Sequence, residues 1–207
     1  MSIVKLNNRG VRSATAFGSI TGLGSWKFLS KQTASSSSTI SFTSGIDSTY
    51  KEYMFTFKNI HPSADSAEFS FQADTGTNTN YNLNMTSTFF KSYHRQDDVV
   101  TDFAYDTGED QASGTAFSRI GFNLDASDAS DNLCGYLHIF NPSNSAHVKH
   151  FLGNFNYNYD GDANEAYTVE IFNAGYFNIT TPITRFQFKM ESGNIDAGDI
   201  CLYGLAW

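Results

Sequence analysis

From Trp26 onward apolar side chains return at every second position, and a chain with that period buries its apolar groups only as strands with one face turned inward. In YKEYMFTFKNI, Tyr53, Phe55 and Phe57 fall on one face while Glu52, Thr56 and Lys58 fall on the other. Phe69 and Phe71 repeat the pattern in AEFSFQ. The same reading marks STISFTS, MTSTFFKSYH, AFSRIGFNL, CGYLHIFN, HVKHFLGNFNYN, YTVEIFNAGYFN, ITRFQFKM and DICLYGLAW, which with the run at Trp26 makes ten to eleven strands. Pro62, Pro142 and Pro182 fall between these runs, where a missing N–H costs no ladder bond. No segment sustains a 3.6-residue period. The expectation is an all-β fold, an antiparallel two-sheet β-sandwich of jelly-roll kind, because one open sheet of so many strands leaves long edges bare. An up-and-down barrel is the alternative. Asn141-Pro142-Ser143-Asn144-Ser145 is the clearest internal turn.

Charge divides the chain in two. The first 46 residues hold Lys5, Arg9, Arg12, Lys27 and Lys31 and no acid, while the remainder carries all 21 acids against eight bases, which makes +5 and −13 of the net −8. Residues 1–24 scatter short apolar patches among Gly, Asn, Ser and Thr and keep no period, so they read as an arm that needs a partner to order it. Lys5, Arg9, Arg12 and Phe17 are its candidate docking residues. Residues 25–207 read as a single sandwich domain, and a body of that size buries about 70% of its unfolded surface without a disulfide or metal.

Aromatics make up 15% of the chain and charged residues 16%, with Ser, Thr, Asn and Gly filling the surface, a balance closer to adhesins, lectin-like domains and virion proteins than to cytosolic enzymes. There is no signal-peptide core and no run of the roughly 20 apolar residues needed for a membrane span. Cys134 and Cys201 lie in apolar strand runs and read as buried free thiols. The acidic body argues against a nucleic-acid partner, which requires cations along one face.

No constellation specifies catalysis, so the expectation is not an enzyme, with no cofactor. Asp160, Asp162 and Asn164 start like a calcium loop, but Glu165 and Ile171 stand where a Gly and a bidentate carboxylate belong, which favours a solvated hairpin tip. Asp125, Asp128 and Asp131, and the acids between Asp97 and Asp110, likewise read as solvated loops. A hairpin centred on Asn144 sets His138 opposite His150, two ligands where a metal needs more. In FLGNFNYNYD, Phe151, Phe155, Tyr157 and Tyr159 share one face and Asn154, Asn156 and Asn158 the other. The Asn row with Tyr159 at an edge is the candidate glycan-binding surface, since amides pair with sugar hydroxyls and a phenol ring stacks on a pyranose.

At TASSSSTISF, DSTYKEYMFTFKNIHPSADSAEFSFQ, STFFKSYH, LHIFNPSNSAHVKHFLGNFN and FNAGYFNITTPITRFQFKMESGNIDAGDICLYGL, the chain resembles small multicopy virion proteins of marine tailed phages, notably those infecting cyanobacteria. The likeness extends to the leading VKLNNRGVRSATAFGSITGLGS, which looks like an attachment segment ahead of a β domain. It implies a tail-fibre-like or head-decorating structural role in the virion, other capsid or tail proteins as partners, and a homo-oligomer, with a trimer suggested by analogy. A host surface glycan is the further partner implied by the Asn row.

Overall fold

In the computed structural model residues 25–160 and 166–206 are described, and among them every regular element is a strand. The twelve strands are β1 (Ser25–Thr33), β2 (Ile40–Phe42), β3 (Glu52–Pro62), β4 (Ala67–Asp74), β5 (Met85–Arg95), β6 (Thr101–Tyr105), β7 (Ser118–Leu124), β8 (Leu133–Phe140), β9 (Lys149–Asp160), β10 (Ala166–Phe177), β11 (Arg185–Met190) and β12 (Ile195–Ala206). They form an eight-stranded sheet, β1-β12-β3-β8-β9-β10-β5-β6, and a four-stranded sheet, β2-β11-β4-β7, with every pair antiparallel. The docking residues Lys5, Arg9, Arg12 and Phe17 lie outside the described residues, as do Asp162 and Asn164 of the acidic tip.

The expected sandwich is therefore present, and its strand order is that of a jelly roll with additions. In a jelly roll successive strands alternate between two sheets so that each pairs with strands distant in sequence. Here β1-β12-β3-β8 and β2-β11-β4-β7 are the two four-stranded layers of that order. The additions are the β5–β6 and β9–β10 hairpins, which carry the larger sheet beyond β8 in the order β9-β10-β5-β6, every neighbour antiparallel.

Alternation fixes the core. Phe55 and Phe57 of β3, Phe151 and Phe155 of β9, and Phe177 of β10 meet Phe69 and Phe71 of β4 and Phe186 and Phe188 of β11, all at most 3% exposed. Phe188 lies at the middle, 5.0 Å from Phe55 and 5.2 Å from Phe57, both edge to face, the geometry the ring quadrupole favours. Three inward glycines make room for rings lying along the sheet. A methyl group on Gly153 would stand 2.5 Å from the Phe155 ring, and one on Gly175 2.7 Å from that of Phe151; on Gly135 it would stand 2.4 Å from the Asn154 carbonyl oxygen. Asn173, also buried, reaches across the sandwich and donates to Ser118 Oγ at 3.2 Å and the Arg119 carbonyl at 3.0 Å.

Five details differ from expectation. The acidic stretch after Asp97 contains β6, whose exposed residues carry too little alternating burial to mark a strand. Within the same stretch Asp106 pairs with Lys91 at 2.7 Å and Glu109 is buried against Arg119, so these acids are partnered. Asp131, expected in a solvated loop, is 3% exposed and accepts a hydrogen bond from Asn158 Nδ2. Pro62 ends β3 opposite Ile195 after a bulge between Phe57 and Ile60, where Asn59 takes φ +53°. His138 faces Leu152 rather than His150, because the Asn144 side chain caps the N–H groups of Ala146 and His147 and delays the start of β9 to Lys149.

Candidate functional site

The two outer faces of the sandwich differ in kind. That of the four-stranded sheet is covered by its own connections: buried Gln72 donates to the carbonyls of Leu83, Thr115 and Ala116 at 3.0 to 3.2 Å, and Lys189 lies 4.3 Å from the Phe117 ring. Beside this cover Arg119 gathers three carboxylates, Glu68 at 2.6 Å, Glu109 at 2.5 Å and Glu191 at 3.1 Å. Burial, reinforced by a hydrogen bond with Glu191, pushes the Glu68 carboxyl up to about 7, in a cluster where one Arg119 faces three carboxylates.

The eight-stranded sheet has no such cover among the described residues. Among the described residues every large apolar side chain that is exposed sits on this sheet or in its β5–β6 turn: Trp26, Phe28, Val99, Phe103, Tyr105, Tyr136, Leu152 and Phe172. Register lines up the outward side chains. One row crosses five strands as Tyr136, Asn154, Phe172, Phe90 and Tyr105. The next runs Cys134, Asn156, Glu170, Ser92 and Phe103, and a third runs Asn158, Thr168, His94 and Thr101. The aromatic row thus has two successive polar rows along one side and His138, Leu152, Ala174 and Thr88 along the other.

The Asn row is outward, as alternation predicts, and its amides are tied to neighbours. Asn154 donates to Glu170 Oε1 at 3.0 Å, and Asn156 donates to Thr168 Oγ1 and the Val169 carbonyl, each at 3.0 Å. Asn158 donates to Asp131 and accepts the Asn132 N–H at 3.0 Å. Tyr159 has the opposite parity; it is half-buried, packed against the core side and 6.0 Å from the Tyr167 ring, in a strand paired on both flanks rather than at an edge. The sheet brings the three Asn together and sets Tyr159 behind them. Asp160 closes β9 opposite Ala166.

What the sequence reading passed over is the ring cluster at the β6 edge. Phe103 stacks on Phe90 at 6.0 Å with planes 12° apart, and Tyr105 meets Phe90 edge-on at 4.9 Å. Tyr105 O–H donates to Asp110 at 2.5 Å, which raises the phenol pKa and fixes the ring. Against this cluster lies a shallow cavity of about 250 Å³ lined by Ser92, Tyr93, His94, Thr101, Asn156, Thr168 and Glu170. A second recess of about 390 Å³, mostly apolar, lies between Phe140, His150, Leu152 and Tyr176. The signal for the cluster was present as Phe90, Phe103 and Tyr105, but only the β5–β6 pairing puts them together.

Toward the other edge, His138 stands 2.8 Å from Glu52 Oε2 and 5.3 Å from the Trp26 ring, and burial lowers its pKa against the opposing pull of Glu52. Cys134 and Cys201 are free thiols, half-buried on the outer face rather than in the core, and Cys134 Sγ accepts the Asn59 N–H at 3.3 Å. Among the described residues no group of three or more His, Cys, Asp or Glu is placed to hold a metal, and no helix is long and apolar enough to cross a membrane. No protein-family model, curated protein or solved structure matches this chain.

Proposed function

We propose that this protein is a structural component of a tailed-phage particle, held to capsid or tail by residues 1–24 and displaying its β-sandwich outward. The observation that carries the reading is where the leading segment joins the fold. Residue 25 opens β1, one edge of the eight-stranded sheet, while the exposed ring cluster occupies β6, the opposite edge. Seven strand intervals of about 4.8 Å separate the two, roughly 34 Å. β1 prolongs the basic arm: it is exposed along most of its length, carries Lys27 and Lys31, and offers Trp26 and Phe28 to a partner. An acid-free segment of this kind suits an acidic groove on a neighbouring virion protein, and the net charge of −13 beyond residue 46 keeps displayed bodies apart. The resemblance to multicopy marine phage proteins supports the same reading, with a homo-oligomer, a trimer by analogy, as the assembled form.

Deletion of residues 1–24 tests it. The truncated protein is expected to fold and to be missing from purified particles, whereas normal incorporation would contradict the anchoring role. Replacing Lys5, Arg9 and Arg12 together by Gln is expected to weaken incorporation in a salt-sensitive way.

A further inference from the structure

Among the described residues nothing covers the outer face of the eight-stranded sheet, where an aromatic row has two successive polar rows along one side, and that chemistry selects one class of occupant. We infer that this face, from Tyr136 across Phe172 and Phe90 to Tyr105 with Phe103, is a binding platform for an extended neutral polysaccharide. The inference goes beyond the structural role proposed above and concerns the isolated chain, so it stands or falls separately from particle anchoring.

Three observations carry it. First, the rings are exposed, and those at the β6 edge are also held. Phe172 is 44% exposed, Tyr136 45% and Phe103 65%, while Phe103 and Tyr105 are braced on Phe90 and Tyr105 is fixed to Asp110. Rings fixed in advance lose little freedom on binding, and their faces pack against the axial C–H face of a pyranose. Second, the bordering row supplies what sugar hydroxyls need: Ser92 and Thr101 offer hydroxyls, and Glu170 and Asn156 offer oxygens whose partner atoms are already positioned by Asn154, Thr168 and Val169. Third, charge selects neutrality. Glu170 in the polar row, Asp98 beside His94 and Asp110 beside Tyr105 make the edge acidic, which repels uronic and sulfated chains.

The dimensions fix the form of ligand. From Tyr136 on β8 to Tyr105 on β6 is four strand intervals, about 19 Å, the length of roughly four sugars. A single monosaccharide covers only one ring, so affinity must grow as the chain lengthens.

Titration of the full-length protein with linear neutral oligosaccharides tests this, using β-glucan, mannan and galactan series from monosaccharide to about six sugars, with alginate oligomers as the acidic counterpart. The expected result is binding to at least one neutral series that strengthens up to about four sugars and then levels off, with little binding to alginate. Phe172→Ala and Tyr136→Ala are each expected to weaken that binding tenfold or more while leaving the thermal unfolding midpoint in place, because both rings are exposed. Lys58→Ala, at an exposed position of β3 outside the three rows, is the control and should bind as the parent does. Absence of binding to every neutral series, equal binding of alginate, or length-independent affinity would each overturn the inference. So would ring substitutions that turn an oligomer into monomers in analytical ultracentrifugation without altering glycan affinity, since the face would then be a contact between copies.

Discussion

Lys149 shows how a single side chain can hold two connections together. It has no exposed surface, and its ammonium donates to the carbonyls of His147 at 2.6 Å, Thr180 at 3.1 Å and Ile179 at 3.3 Å, tying the loop before β9 to the one after β10. Burial lowers its pKa, yet three acceptors compensate much of that cost. Lys149→Met keeps the stem and strands the carbonyls, and it should cost about 1–3 kcal/mol in urea denaturation. Glu68 makes a pH prediction. Its folded-state value of about 7 lies above the ordinary 4.5, so the folded chain binds the proton more tightly, and the stabilisation present below about pH 4.5 is lost as pH rises through 7. Because the lowered His138 value acts in the opposite sense over the same range, the test is the difference: relative to Glu68→Gln, the wild-type urea midpoint should fall between pH 5 and pH 8. A difference that stays constant or rises over the interval would contradict the raised Glu68 value.

At the scale of the element, the strands were legible because alternation of Phe with polar residues is a strong signal; β6 was not, because an edge strand buries almost nothing and leaves no pattern to read. Pairing was less legible still. His138 was expected opposite His150, but the Asn144 cap sets the register two residues away, against Leu152, a contact that only the loop conformation determines. The Asn row was half-legible: parity put Asn154, Asn156 and Asn158 outward, while the rings of the proposed platform come from β5, β6, β8 and β10, which are far apart in sequence. The inward glycines belong to the same lesson. Gly153→Ala places a methyl group 2.5 Å from the Phe155 ring in a central strand, and it is expected to destabilise by about 1–3 kcal/mol in thermal or chemical unfolding. An unchanged midpoint would mean that the Phe155 ring repacks freely.

The whole molecule is polarised twice, along its chain and across its sheet. Basic, acid-free residues lead into β1 at one edge, and an acidic body ends in an exposed ring cluster at the other, so the proposed attachment and display sides lie the width of the eight-stranded sheet apart. Composition made the first polarity visible, and only the strand order reveals the second. Residues 25–206 alone supply a closed set of buried rings and aliphatics, so removing residues 1–24 is expected to leave the unfolding midpoint within about 2 °C of the full-length value. The most direct measurement is cryo-electron microscopy of intact particles with this chain traced inside them. The account predicts residues 1–24 and β1 against a neighbouring virion protein, with β6 and its rings facing solvent. Density that buries the β6 edge in the particle and leaves residues 1–24 and β1 outward, or particles that lack the chain altogether, would contradict it.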